Sequence, residues 1–403
     1  MALMSVAEAS ARILAGAAPL PSELVPLADG YGRVLTADLT ALRTQPPQAL
    51  SAMDGYAVRA ADVAAVPVRL KIIGEVAAGH PFPGEVGAGE AARIFTGGVL
   101  PPGADTIVIQ ENTIRDGDVV LVNSGAGTGK HVRIAGLDFA RGDIPLRAGR
   151  RLGERDLALA AAMNHPSVPV HRRPRIAVLA TGDELVMPGT EPGPGEIVYS
   201  NGFATMALAR REGGEVLDLG IAPDRIDETI AAVRRARAEK ADILVTSGGA
   251  SVGEHDLVQK ALASEGLELS FWRVAMRPGR PVMHGRLGGM HVLGLPGNPV
   301  SAYVCSILFM VPLIRRLVGR QEVDVPQETA VLGCDLPAND ERADYLRATL
   351  AASHDGHEVA TPAPIQDSSM LVPLALADCL VVREPHAPAA KAGSSCAIVK
   401  LGL

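Results

Sequence analysis

Ser247, Gly248, Gly249, Ser251, Gly253, Glu254 and Asp256 stand together in the stretch I-L-V-T-S-G-G-A-S-V-G-E-H-D, residues 243 to 256. Glycines let a backbone approach a ligand closely, the serine hydroxyls donate or accept hydrogen bonds, and the two carboxylates lie one residue apart. Such a set can meet a phosphate and a divalent cation together. The preceding run, Ile243 to Thr246, suits a strand buried on both faces. The D-L-V-Q-K-A-L-A-S-E-G that follows reads as a helix with Asp256 at its start. The loop therefore falls between a strand's carboxyl end and a helix's amino end, where open α/β sheets bind ligands. A Gly/Ser turn also serves as a plain connection in many α/β proteins, so the neighbouring loops must decide.

Those neighbours are T-G-D-E (181 to 184), P-D (223 to 224), R-P-G-R-P (277 to 281) and L-P-G-N-P (295 to 299). On one α/β rim they gather Asp183, Glu184, Asp224, Glu254 and Asp256 against Arg273, Arg277 and Arg280. A pure phosphate site needs cations and backbone N–H groups and gains nothing from so many acids. A divalent hard cation bridging carboxylates to phosphate accounts for both signs, and Mg²⁺ suits it because it takes one or two carboxylates plus phosphate oxygens and waters. Taken singly, Asp183 and Asp224 read more simply as loop charges or helix caps, whereas Glu184 and Asp256 read as site acids. The arginine forks suit a tetrahedral oxyanion such as phosphate or molybdate, with surface ion pairs as the plainer alternative. Phe271-Trp272 reads as core. Asp54 in S-A-M-D-G-Y-A-V and Thr96 in I-F-T-G-G-V-L-P-P-G-A-D each precede glycine, which is ordinary turn chemistry. His80, His255 and His284 lack metal-ligand spacing.

Positioning these loops requires more than one domain. Residues 175 to 320 alternate strand and helix as in a doubly wound α/β sheet, with L-E-L-S-F-W-R-V-A-M as one strand. Asn298-Pro299 opens a long apolar helix, Asn as N-cap and Pro at the first helical position. Residues 44 to 141 carry short alternating strands, with a hairpin signal at Asp116-Gly117. They read as an all-β insertion within a discontinuous domain of 1–43 and 142–172, where V-L-T-A-D-L-T-A looks strand-like. The α/β domain takes 173–320, and 321–403 closes the chain as a small β domain with a hairpin at Asp355-Gly356.

The 403 residues allow several cores, and 47% hydrophobic with 21% charged residues is neither disordered nor fibrous. A net charge of −7 without a basic run argues against nucleic acid as a partner. Val300 to Ile314 is short of the ~18 apolar residues of a membrane span and reads as a core helix. Ser5 and Glu8 form a capping-box spacing at a first helix, not a signal peptide. Cys305, Cys334, Cys379 and Cys396 have no C-x-x-C spacing, which fits reduced thiols in a cytoplasmic protein.

S-A-M-D-G-Y-A-V, I-F-T-G-G-V-L-P-P-G-A-D, L-A-T-G-D-E-L, T-S-G-G-A-S-V-G-E-H-D, F-W-R-V-A-M-R-P-G-R-P and L-P-G-N-P-V-S-A occur in this order. Together they closely resemble the molybdopterin molybdenumtransferases, the family of the gephyrin C-terminal domain, from about Ser5 to the C-terminus. The resemblance implies an elongated homodimer of four-domain subunits: a discontinuous N-terminal domain, an inserted β domain, a molybdopterin-binding-like α/β domain and a C-terminal β-barrel-like domain. It implies that adenylylated molybdopterin and molybdate react with Mg²⁺ to give molybdenum cofactor and AMP. Glu184, Asp224 and Asp256 match the family's acids, with Glu184 and Asp256 as metal ligands. Arg273, Arg277 and Arg280 match its basic positions, and Pro296 and Pro299 its pocket prolines. Asp54, Thr96 and Asp138 match positions that face a partner subunit, so the site would be shared. The chain departs from the family at Gly136-Leu137-Asp138, where G-E-D is common, and at Gln366-Asp367-Ser368-Ser369, which bears on Ser368, Arg342 and Arg347. The resemblance leaves room for the pathway's adenylyltransferase as a further partner. Two rival readings are an adenylyltransferase built on the same α/β domain, against which the three further domains weigh, and a non-catalytic scaffold, which needs no such charged rim.

Overall fold

The computed structural model describes residues 3–248, 257–353 and 355–402. The chain divides into two compact units, one of Met1–Glu23, Gly32–Thr36 and Val170–Leu403, the other of Leu24–Tyr31 and Ala37–Pro169. The first helix, α1 (Val6–Leu14), starts at the expected capping box: Ser5 Oγ accepts from the Glu8 amide at 3.2 Å and the Glu8 carboxylate accepts from the Ser5 amide at 3.0 Å. Its apolar residues Ala9 and Ile13 enter the core of the first unit.

The second unit holds the all-β segment. Its strands β1 (Gly55–Val58), β2 (Val68–Val76), β3 (Glu90–Ile94), β4 (Thr106–Ile109), β5 (Thr113–Asp116) and β6 (Val119–Val122) form one sheet in the order β4-β1-β3-β2-β6-β5. Strand alternation sends Tyr56 and Val58 into one apolar cluster and Ala57 into another, so β1 is buried on both faces. The β5–β6 hairpin turns at Asp116-Gly117, with Gly117 at φ 61°. Helix α2 (Glu154–Ala162) follows, its first turn satisfied by Asp156, which accepts from the Gly153 amide. The segment V-L-T-A-D-L-T-A makes only single bridges, Leu35 with Val170 and Leu39 with Leu146, rather than a continuous strand.

The first unit carries the α/β sheet: β7 (Arg175–Thr181), α3 (Asn201–Arg211), β8 (Glu215–Ala222), α4 (Ile226–Ala238), β9 (Ile243–Ser247), α5 (Leu257–Ser264), β10 (Glu268–Trp272), β11 (Met276–Arg277), β12 (Met283–Leu287) and β13 (Met290–Leu295). The sheet order is β8-β7-β9-β13-β12-β10, parallel from β8 to β13, with β12 antiparallel to both its neighbours. Alternate residues of β7 and β9 divide between two cores: Ile176, Val178, Ile243 and Val245 face α1, α3 and the long apolar helix, while Ala177, Leu179 and Leu244 face α4 and α5. Burial on both faces explains why these strands read as unbroken apolar runs.

The long helix comprises α6 (Pro299–Cys305), a π turn at Ser306–Met310 and α7 (Val311–Leu317). Among the described residues only this helix is long and apolar enough to cross a membrane, yet 78% of its most apolar window is buried, as a core helix requires. Five strands, β14 (Glu328–Leu332), β15 (Ala343–Ala352), β16 (Glu358–Pro362), β17 (Cys379–Arg383) and β18 (Ser395–Lys400), then close a barrel in the order β15-β16-β14-β18-β17, with β17 returning to β15. The expected single strand L-E-L-S-F-W-R-V-A-M is divided. The chain leaves the α/β sheet after Trp272, Arg273 takes φ 79°, and β11 pairs with β15 of the barrel.

Candidate functional site

Parallel order brings the carboxyl ends of β8, β7, β9, β13 and β10 to one edge, together with the start of β12. At the end of β7, Gly182 adopts φ 149°, and a Cβ there would lie 2.6 Å from the Glu184 carboxylate, so the missing side chain lets that carboxylate fold back on the backbone. Glu184 is exposed, and no described residue donates to its carboxylate. Its own carbonyl accepts from the Ile197 amide at 2.7 Å, which anchors the loop. Asp183 has a different part: its Oδ1 accepts from the Asp224 amide at 2.9 Å and joins the loops after β7 and β8. The Asp224 carboxylate has no described partner, and its loop follows the strand next to the one that precedes Glu184.

At the end of β9, Ser247 is buried and Gly248 turns at φ 93°, where a Cβ would sit 2.3 Å from the Thr181 carbonyl. The hydroxyls of Thr181 and Thr246, both buried at these strand ends, have no hydrogen-bond partner among the described residues. Sequence reading passed over both threonines; the visible signal was a hydroxyl residue closing an apolar run just before glycine. Gly249, Ser251, Gly253, Glu254 and Asp256 lie outside the described residues.

Beyond β13, Pro296 and Pro299 flank a loop held from two sides. Asn201 Nδ2 donates to the Gly297 carbonyl at 2.6 Å, and Asn298 Nδ2 donates to Ser368 Oγ at 2.8 Å. The Val300 amide, one of the unpaired donors of a first helical turn, is met by the Ser368 carbonyl at 3.0 Å. Ser368 thus reaches the rim from a loop of the barrel region. Arg347 holds that loop from within: only 1% exposed, it donates to Gln366 Oε1 and to the carbonyls of Ile365 and Met370. Arg342 is paired with Asp340 at 2.7 Å, and its hydrogen bonds pull the Asp340 carboxyl down to about 2. Neither arginine has a free fork.

The three arginines expected as one anion cluster separate. Arg277 is spent on the barrel: Nε donates to Asp344 at 2.8 Å, Nη2 pairs with the second Asp344 oxygen, and Asp340 and Asn339 lie at 3.4 Å. This bidentate pairing raises its pKa and replaces the expected anion contact, because pairing of β11 with β15 carries the side chain to the barrel. Arg273 and Arg280 stay at the base of the loop, linked by the hydrogen bonds of the Arg273 amide to Val282 and of the Val274 amide to Arg280. The Arg280 side chain is exposed and has no described partner. From β7 to β10 is four strand spacings, roughly 19 Å, so acids and arginines occupy opposite flanks of the rim. One small anion cannot touch both flanks; an extended substrate can.

In the second unit, Asp54 and Thr96 are brought together: Asp54 Oδ1 accepts from the Thr96 amide at 2.7 Å and from its hydroxyl at 2.8 Å. These bonds, backbone first, hold the Asp54 carboxyl below the usual range, with help from Arg93. Asp138 is exposed, its amide donating to the Gln45 carbonyl at 3.0 Å. Beside these acids stand the exposed apolar side chains Met53, Ile134 and Leu137.

Among the described residues no three His, Cys, Asp or Glu side chains converge as a metal cage. Glu184 and Asp224 follow adjacent strands, their carboxylates have no partner among the described residues, and carboxylate oxygens are hard donors of the kind Mg²⁺ accepts. Thiolate chemistry is not offered at the rim: Cys305 is buried and its thiol is pushed far up by burial.

Residues 4–164 match the family described as the MoeA N-terminal region (domain I and II), 177–316 a probable molybdopterin binding domain, and 329–401 the MoeA C-terminal region (domain IV). The chain is 36% identical over 90% of its length to a molybdopterin molybdenumtransferase of Nostoc, covering 84% of that protein. It is 32% identical to one of Haemophilus influenzae, with 94% of each chain covered. The crystal structure of the molybdopterin biosynthesis moeA protein of Pyrococcus horikoshii superposes with a TM-score of 0.86 at 31% identity over the full length of both chains. Likeness along the whole chain, rather than in the α/β domain alone, disfavours the adenylyltransferase reading. The chain belongs to the family of the molybdopterin molybdenumtransferases.

Proposed function

We propose that this transferase of molybdenum cofactor biosynthesis works on adenylylated molybdopterin, taking molybdate as co-substrate and releasing AMP, in the cytoplasm and as a homodimer. The observation that carries the reading is the division of the rim: the carboxylates of Glu184 and Asp224 on one flank and Arg280, with Arg273, on the other, about four strand spacings away, with Glu184, Asp224 and Arg280 lacking side-chain partners among the described residues. A substrate with a phosphoanhydride at one end and a metal-accepting group at the other spans that distance.

Glu184 and Asp256 would hold Mg²⁺, which when bound supplies charge neutralisation on the phosphoanhydride, with Asp224 as a further acid of the site. Arg273 and Arg280 bind and orient the oxyanion on the opposite flank. Ser247 and Gly248 offer hydroxyl and backbone donors between the flanks, and Gly249, Ser251 and Gly253 are proposed to bind the same substrate. Pro296 and Pro299 shape the wall, and Ser368, whose Oγ already accepts from Asn298, keeps its proton for the ligand. Arg277 serves as a strut to the barrel.

Asp54, Thr96 and Asp138 complete the site of a second copy. The apolar Met53, Ile134 and Leu137 beside them favour a covered face. The domains would run 1–43 with 142–172, 44–141, 173–320 and 321–403, with α1 lent to the α/β core. The pathway's adenylyltransferase is the natural supplier of the substrate. Reconstitution tests the reading: the protein, adenylylated molybdopterin, Mg²⁺ and molybdate should activate an apo-molybdoenzyme. Activation equal without molybdate would overturn it.

A further inference from the structure

Arg273 is placed in an unusual way. A non-glycine residue at φ 79° sits in the left-handed region, which L side chains rarely adopt and which persists where surrounding structure enforces it. The enforcement is visible: the Arg273 amide donates to the Val282 carbonyl, and the Val274 amide to Arg280. The turn lays the Arg273 guanidinium over the Trp272 ring, its carbon 4.8 Å from the ring centroid. The Arg273 Nε is buried and has no hydrogen-bond partner among the described residues. A buried, unpaired, cationic donor at the carboxyl end of a sheet strand calls for an acceptor from outside the protein.

We propose that Trp272 is a positioning residue: its ring face holds the Arg273 guanidinium so that Nε points at a tetrahedral oxyanion of the substrate, either a phosphate or the incoming molybdate. The ring attracts the cation through its quadrupole without using any of its five N–H groups, as a carboxylate would. The contrast with Arg277 is instructive, since Asp344 occupies two of its N–H groups. A carboxylate partner makes a strut, whereas an aromatic partner leaves a fork open. Trp272 also packs on the core beneath α4 and α5, so its contribution to packing must be separated from its effect on Arg273.

This inference rests on the oxyanion role proposed above for Arg273, and two experiments keep the two apart. Trp272 is the single tryptophan, so its emission reports directly on the guanidinium over its ring. Titration of the intact protein with molybdate, and separately with inorganic phosphate, should give a saturable change in emission that Arg273→Gln abolishes; the anion that acts at the lower concentration is the one Nε receives. No saturable change with either anion would overturn the inference, even where turnover is normal. In the second experiment, Trp272→Leu should raise the KM for the responding substrate about threefold to tenfold, the scale of a lost cation–π contact. Trp272→Phe should stay near wild type, and Trp272→Leu should add nothing to the KM of Arg273→Gln. Equal impairment by Leu and Phe, or an effect that multiplies that of Arg273→Gln, would assign Trp272 to packing alone. Molybdate-independent AMP release with the emission response intact would count against the proposed reaction and leave the pairing of Trp272 and Arg273 standing.

Discussion

Replacing Arg277 by methionine keeps an unbranched apolar stem and removes the guanidinium from Asp344, a carboxylate whose side chain is only 7% exposed. The pair is bidentate and joins β11 to β15, so the loss falls on the seam between the α/β sheet and the barrel. Removing one partner of a fully buried pair costs ~3–5 kcal/mol. Arg277 is 48% exposed, so water screens part of the attraction and the lower end of that range, about 3 kcal/mol, is expected. Urea unfolding followed by far-UV circular dichroism measures it as a lower midpoint, and a second change, Asp344→Leu, should recover most of the loss by removing the stranded carboxylate. The KM for molybdate should change far less than in Arg280→Ala. An unchanged midpoint together with a KM raised as much as by Arg280→Ala would refute the strut and return Arg277 to the anion site.

Other consequences can be checked singly. His284 and His291, buried and stacked across β12 and β13, are depressed to about 4 and about 3 by burial first and by Arg286 second. Their folded values lie below the unfolded value, so the stability of the neutral pair is complete above pH ~6.5 and declines as pH falls towards 4, by on the order of 3 kcal/mol for each ring. Urea midpoints between pH 7 and 4.5 should show the decline, and the double change to leucine should flatten it. Gly248→Ala forces a Cβ against the Thr181 carbonyl at a left-handed φ and should cost about 2 kcal/mol with most of the turnover; a wild-type urea midpoint would show that the turn relaxes freely. Glu184→Gln should raise the Mg²⁺ concentration needed for AMP release and leave the melting temperature unchanged, because no described residue depends on that carboxylate. Asp54→Ala, in a different unit, should impair turnover, and normal kinetics would remove the shared site.

The rim was legible where local chemistry set it. Unbroken apolar runs marked β7 and β9, the glycines after them marked turns, and Asn298-Pro299 marked the start of the core helix. Asp183 could be read as a loop charge because a short acid beside glycine so often accepts from a nearby backbone amide, and here it holds the Asp224 amide. What escaped depended on pairing between distant segments. Nothing within F-W-R-V-A-M-R tells that Arg273 turns left-handed and that Met276–Arg277 joins Ala343 and Asp344, because the partner strand lies far along the chain. The same holds for Arg347, an arginine by type but buried by its fit to the carbonyls of Ile365 and Met370. Charge alone places a residue at a site only while its partners remain unknown.

The most direct test of the account is AMP release from adenylylated molybdopterin by the purified protein with Mg²⁺, in the presence and absence of molybdate. Release that depends on molybdate, lost in Glu184→Gln and reduced in Arg280→Ala, is the predicted result. Substrate that binds and is never cleaved under either condition would contradict it and leave a carrier built on the transferase fold.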